Sequence, residues 1–310
     1  MIPPSRNILI SFFYYAKYDL DKLHGARIAC DSGAISVRRL GKVIETKHIV
    51  TWAKVWHHRM AWMASLDVLG DPETTRRNWN EMVDAGVPGV PTLHLREHPS
   101  EMDYYAERGV DFIGLGGTAL IDASPTKEDK LKWLVACFKY ARENHPQMRF
   151  HGWGLSNNYL LRLPFYSVDS SGWGASYRYG RLILRDPIKQ GKVHTITLNG
   201  RDAYKPEVAT VLRDQYGVNP SDVATTGPHN RLLMVQMSAL SASVLEQQVQ
   251  WNHRKNRVTP PHWGRLGGWD LPDFPDQQGP LIHLVDGHPQ HIETVAQLAR
   301  GERFLWKAYA

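Results

Sequence analysis

Cysteine is nearly absent: Cys30 and Cys137 are the only two in 310 residues. That excludes a disulfide framework and a cysteine-built zinc site, and it points to a reducing cytoplasm. Long uncharged apolar runs are missing as well. Met1-Ile2-Pro3-Pro4-Ser5-Arg6 leads into a tyrosine-rich and soon charged segment, which reads as neither a signal peptide nor a membrane span. Gly114-Leu115-Gly116-Gly117 lacks the G-x-G-x-x-G spacing of a dinucleotide fingerprint. Adjacent His57 and His58 diverge on a helix or strand, so they read as surface residues and no metal site is expected. Neither a repeat nor a long linker divides the chain, and one domain over residues 1–310 is expected.

Charge is only mildly unbalanced, with 37 Lys and Arg against 31 Asp and Glu, a net +6 and a pI near 9.2. A polyanionic partner suits that balance, and so does a basic enzyme without one. At 42% hydrophobic and 22% charged residues, the chain can bury a large core as a globular protein.

What the first 175 residues do carry is a rhythm of short apolar runs ending in Gly, Asp or Ser, separated by amphipathic stretches. It reads as repeated βα units. Strands are expected over Asn7 to Phe13, Arg27 to Cys30, Ala61 to Leu66, Gly89 to Leu95, Asp111 to Leu115, Arg149 to Trp153 and Phe165 to Val168. Asp71-Pro72 opens a helix that stops near Ala85-Gly86, and Pro99-Ser100-Glu101 opens another. Thr126 to Asp129 resembles a capping box, and the helix it starts places Leu131, Leu134, Val135 and Phe138 on one face until Pro146.

Such alternation fits either a (β/α)8 barrel or a doubly wound sheet. Asp31, Asp67, His94, Gly116, Gly154 and Asp169 each fall at the C-terminal end of a different expected strand. A barrel gathers those ends into one ring above its core, whereas an open sheet concentrates its site at a single switch point. The expected fold is therefore α/β, an irregular TIM (β/α)8 barrel with helical and inserted elements toward the C-terminus.

Two of these ends carry the chemistry. Ser167-Val168-Asp169-Ser170-Ser171-Gly172 and Ala29-Cys30-Asp31-Ser32-Gly33 each deliver an aspartate into a Ser/Gly-rich turn, an arrangement suited to acid/base and nucleophilic work on one substrate. Asp169 fits the capping of the next turn too, and Asp67 fits a helix-start turn. His94 fits either a substrate contact or a satisfied strand-end residue. Beyond Gly174 the rhythm breaks down. Asn230 to His253 reads as a long helix with a Leu233, Met234, Met237, Leu240 and Val244 stripe, followed by Arg254-Lys255-Asn256-Arg257 and a Pro/Trp/Gly-rich tail from Pro260 to Trp269. The region from about 230 to 310 is thus basic and rich in Trp, Pro and Gly.

Asp31-Ser32-Gly33-Ala34, Ser65-Leu66-Asp67, Gly114-Leu115-Gly116-Gly117, His151-Gly152-Trp153-Gly154 and Ser167-Val168-Asp169-Ser170 resemble, in order and spacing, the strand-end motifs of the tRNA-guanine transglycosylase superfamily. The similarity is greatest to its DNA-modifying branch, the 7-deazaguanine DNA transglycosylases with their short phage members, and it covers roughly Asn7 to Gly180.

The resemblance implies base exchange on an irregular TIM barrel without a cofactor. Asp169 would attack C1′ of a guanosine and expel guanine, leaving a covalent glycosyl-enzyme that preQ0 or a related 7-deazaguanine then resolves. Asp31 would be the general acid/base, and two displacements would retain configuration, as in retaining glycoside hydrolysis. Asp67 would accept the N1–H and 2-amino edge of guanine, with Ser32 and His94 beside it, while Gly116, Gly117 and Gly154 would let backbone amides approach the base. Trp153, Trp173 and Tyr177 would stack on a flipped purine or pack around it. Arg178, Arg181, Arg254, Lys255 and Arg257 would meet phosphate.

The chain departs from the bacterial and archaeal tRNA enzymes in lacking their Cys-x-Cys-x-x-Cys zinc run, and it leaves no room for the appended RNA-binding domains of the archaeal ones. Double-stranded DNA is therefore the expected partner, in the cytoplasm of a host if the chain is phage-encoded, with a role in hiding phage DNA from restriction. The same chemistry on tRNA with a partner subunit, and a non-catalytic nucleic-acid-binding barrel, are the alternatives. Oligomeric state is left open.

Overall fold

All seven runs expected to be strands contain strands in the computed structural model, which describes residues 2–117, 125–155, 160–224, 228–258 and 279–302. They are β1 (Asn7–Ser11), β2 (Arg27–Asp31), β3 (Met60–Met63), β4 (Thr92–His94), β5 (Phe112–Gly116), β6 (Arg149–Gly152) and β7 (Ser167–Ser170). An antiparallel hairpin follows, β8 (Arg181–Arg185) and β9 (Val193–Thr197). The chain then returns to the main sheet as β10 (Leu281–Val285), a strand the sequence reading did not anticipate. The tail from Pro260 to Trp269 lies outside the described residues.

Eight of these strands form one parallel, curled sheet in the order β3-β2-β1-β10-β7-β6-β5-β4. A parallel sheet covered on both faces is apolar throughout, which is why β1 (Asn-Ile-Leu-Ile-Ser) is buried at every residue. The exposed hairpin instead alternates, burying Leu182, Leu184, His194 and Ile196.

The sheet is a half-barrel, compatible with a TIM-like α/β architecture, and its ladder stops short of the closed barrel expected. Edge strands β3 and β4 meet only at one isolated bridge, Ala64 to Val90, where Ser65 N–H donates to Val90 O (2.9 Å) and Val90 N–H to Met63 O (2.8 Å). Beyond that bridge Pro91 faces the other way, its carbonyl accepting from Gly114 N–H of β5 (2.8 Å).

The concave face is filled by rings. Trp62 of β3 touches His283 of β10 (centroids 5.6 Å), Phe112 of β5 (5.4 Å) and His151 of β6 (4.7 Å), strands that are not its neighbours in the sheet. Contact between such distant strands requires the curl. Outside lie the helices Thr46–Trp56, Pro72–Asp84, Glu101–Ala106, Lys127–Asn144 and Pro289–Ala299. Their starts follow the expected signals: Asp71 accepts from Thr74 N–H at 2.9 Å ahead of Pro72, and Thr126 with Asp129 forms a reciprocal capping box. One expected core position is not one. Val135 is 45% exposed, because the buried stripe of that helix runs through Leu134, Cys137 and Ala141, and the step from Leu134 to Val135 turns about 100° around the axis.

Between β7 and β10 sits an inserted unit with its own apolar cluster, built from the hairpin, short helices over residues 206–224 and the long helix Pro228–Lys255. Met234 and Met237 of that helix are core residues. Its direction is fixed at both ends of the sheet: Ser238 bonds Ser176 (2.6 Å), just past the C-terminal end of β7, while Glu246 accepts from Asn7 Nδ2 (3.0 Å) and Ile282 N–H (2.6 Å) at the N-terminal ends of β1 and β10. No helix among the described residues is long and apolar enough to cross a membrane.

Candidate active site

At the C-terminal edge of the curled sheet, β2, β4 and β7 end in Asp31, His94 and Asp169-Ser170, and the loop after β3 adds Asp67. Direct hydrogen bonds join Ser32, Asp67, His94 and Glu97 into one chain. Ser32, fully buried, donates from Oγ to Asp67 Oδ1 (3.3 Å). His94 Nε2 lies 2.8 Å from Asp67 Oδ2, and its Nδ1 lies 3.3 Å from Glu97 Oε1. Arg96, between them, adopts a left-handed φ of 84°, rare for a side chain of its kind, and this tight turn returns Glu97 toward His94.

Charge organises the cluster. Burial alone would lower the His94 imidazole, but the hydrogen bonds to Asp67 and Glu97 outweigh it and hold the group at about 9. His94 is therefore an imidazolium at neutral pH, wedged between two carboxylates. Burial, the charge of Asp67 and, beyond it, that of Asp169 push Asp31 up to about 7 against the pull of the Gly33 amide. A carboxyl group poised there can give and take a proton at physiological pH.

Asp169 is set differently. Its side chain is 12% exposed, and its Oδ1 accepts from the Gly154 amide (2.6 Å) and faces His151 Nε2 (3.3 Å). Gly154 can present its amide this way because it takes a φ of +67°, the left-handed region that disfavours a side chain. That amide points to Asp169, so it serves the carboxylate rather than an incoming ring.

The other glycines have internal causes. A Cβ on Gly114 would stand 2.2 Å from Trp153 Nε1, and one on Gly116 would meet Thr92 Cγ2 at 3.0 Å and His94 Cδ2 at 3.3 Å. These positions make room for the chain's own Trp153, whose indole N–H bonds Thr92 Oγ1 (3.1 Å). Gly117 follows directly in the turn after β5, against Leu95.

Three participants escaped sequence reasoning: Glu97, His151 and Asp286. Asp286 follows β10 at the same edge, and its Oδ2 accepts from Tyr177 Oη (2.7 Å) while His291 Nδ1 lies 3.2 Å from its Oδ1. Burial opposes its charge, yet these bonds hold its carboxyl below the usual range. Leu281-Ile282-His283-Leu284-Val285-Asp286-Gly287 repeats the apolar run ending in Asp and Gly, a signal available from the sequence. Trp173 donates from Nε1 to Val285 O (3.0 Å), so Trp173 and Tyr177 are both tied to this strand end.

The basic residues separate into two groups. Arg178 and Arg181 are exposed near the carboxylates, and Arg178 donates to Ser171 O and, at 3.2 Å, to Gly174 O. Arg254, Lys255 and Arg257 follow His253, which bonds Leu161 O and packs against Gly279 ahead of β10. At about 1.5 Å per helical residue they lie roughly 24 Å beyond Ser238, at the far end of the sheet. The structure does not bring them to the carboxylates. A cavity of about 610 Å³ also opens at that far end, lined by Trp79, Gly89, Arg108 and Phe112 among others, away from the strand-end aspartates. His57 and His58 are exposed, and among the described residues no grouping of His, Cys, Asp and Glu could hold a metal ion.

Neither a comparison with protein-family models nor one with curated proteins finds a match for this chain.

Proposed function

We propose that this protein exchanges guanine in double-stranded DNA for a 7-deazaguanine such as preQ0, by double displacement through Asp169, on an irregular TIM barrel. The observation that carries the reading is the contrast between two coupled carboxyl groups: Asp31, raised to about 7, and Asp169, held by the Gly154 amide at 2.6 Å. A carboxyl group raised to that range can supply the proton, and a carboxylate oriented by a fixed donor can supply the bond to carbon.

In the first displacement an Asp169 oxygen bonds C1′ as the C1′–N9 bond breaks. The bond's electron pair leaves with guanine, which takes the proton that Asp31 carries. In the second, Asp31 removes a proton from the incoming 7-deazaguanine, whose nitrogen bonds C1′ as the Asp169 ester breaks. Protons and electrons balance, and configuration is retained. Asp67, fixed by Ser32 and His94, keeps lone pairs for the N1–H and 2-amino edge of the base. Arg178 and Arg181, at the same edge, are the phosphate contacts this reading uses. Protection of phage DNA from host restriction is the role such an exchange would serve.

The test is release of labelled guanine from duplex DNA, or from tRNA, on addition of preQ0. Release from the duplex supports the proposal; release from tRNA alone replaces it with the RNA reaction, and release from neither removes the enzyme reading.

A further inference from the structure

Asp169 is a carboxylate with two chemically equivalent oxygens, and its surroundings make them different. Oδ1 takes both the Gly154 amide at 2.6 Å and the His151 ring at 3.3 Å, while Oδ2 accepts no hydrogen bond from the described residues and is not sealed from solvent. Of the two, only Oδ2 is open to a sugar.

His151 is built to do this and nothing else. It is fully buried, and its ring is packed against Trp153 (centroids 4.3 Å), Trp62 (4.7 Å) and His283 (5.8 Å), so it cannot turn away. Its Nδ1 lies 2.8 Å from Ser167 Oγ on the neighbouring strand, in register with it. A carboxylate only accepts, so Nε2 carries the ring proton toward Asp169, and Nδ1 then accepts from the Ser167 hydroxyl. Burial holds the imidazole below its ordinary range, which keeps it neutral and fixed in that one tautomer. The Ser167–His151–Asp169 line therefore aims a donor at one carboxylate oxygen.

Resting on the base-exchange reading above, we infer that His151 is a positioning residue that, with Gly154, occupies Oδ1 and makes Oδ2 of Asp169 the atom that bonds C1′. It does not touch the substrate. Its contribution is orientation of the nucleophile, an effect for which misplacement costs about 100-fold in rate.

The experiment compares the full-length wild type with His151→Phe, His151→Gln and Asp169→Asn on guanine-labelled duplex DNA with preQ0. His151→Phe keeps a planar ring among the aromatic neighbours but removes the donor. It is expected to lose about 100-fold in kcat with KM for DNA within about 2-fold. His151→Gln restores an N–H donor and is expected to recover about 10-fold over the phenylalanine variant. Wild-type kcat in His151→Phe, beside an inert Asp169→Asn, overturns this inference and leaves the reaction standing. Equal loss in both His151 variants overturns it too, because a purely structural role gives no rescue. A wild type that exchanges no base from duplex DNA or tRNA removes the reaction, and this inference with it.

Discussion

His94 Nε2 and Asp67 Oδ2 stand 2.8 Å apart, and Glu97 holds the other ring nitrogen at 3.3 Å. The imidazole is raised from 6.5 to about 9, so its pairing stabilises the fold fully below pH 6.5 and is lost as pH rises through about 9. Replacing His94 by Gln is expected to cost roughly 1–3 kcal/mol at pH 6 and much less at pH 9.5. Urea denaturation at the two pH values measures it, and a pH-independent difference would contradict the pairing.

Asp31 is shifted in the same direction as His94, but here the charged form is the one the fold penalises. Its folded carboxyl titrates near 7 instead of 3.8, so the native state binds the extra proton between those values and stability falls as pH rises through that window. Asp31→Asn removes this penalty. The variant is expected to exceed the wild type in stability at pH 8 by up to a few kcal/mol, with the gap shrinking toward pH 4, while losing base exchange. A wild type as stable as the variant throughout would show that Asp31 is not held protonated.

Gly114 faces Trp153 so closely that a methyl group would overlap the indole nitrogen. Gly114→Ala is expected to lose about 1–3 kcal/mol by overpacking and to disturb the Trp153 to Thr92 hydrogen bond. Calorimetry of the variant reads this directly; unchanged stability would mean that the ring can move aside.

Arg181 lies at the carboxylate end and Arg254 at the opposite one. Arg181→Ala is expected to weaken DNA binding and to reduce the slope of log affinity against log salt by about one, whereas Arg254→Ala leaves the slope unchanged. A salt titration of both variants separates them, and a loss confined to Arg254→Ala would move the DNA to the other face.

Much of this arrangement was legible in the sequence for identifiable reasons. Strands β1 to β7 announce themselves because parallel strands buried on both faces are apolar runs, and Asp31 and Asp169 stand out because Ser and Gly follow them. Strand β10 carries the same signature, but the inserted unit between Ser170 and Leu281 interrupts the rhythm that made the others recognisable. Barrel closure depends on pairing between β3 and β4, which meet only at the Ala64 to Val90 bridge, a long-range relation that local periodicity does not register. The links from His151 to Asp169 and from Glu97 to His94 depend on strand register and on a strained turn at Arg96, neither of which is local in sequence. Gly116 and Gly154 were legible as special positions. Their cause, Trp153 in one case and Asp169 in the other, is tertiary.

Double displacement requires that Asp169 become covalently bonded to the sugar of the target nucleotide. Duplex DNA labelled on its backbone, incubated with the protein without preQ0 and then denatured, tests it most directly by mass spectrometry of the peptide containing Asp169. A DNA adduct on Asp169 is expected that disappears when preQ0 is added and never forms with Asp169→Asn. An Asp169→Asn variant that still forms the adduct and exchanges guanine at the wild-type rate would contradict it.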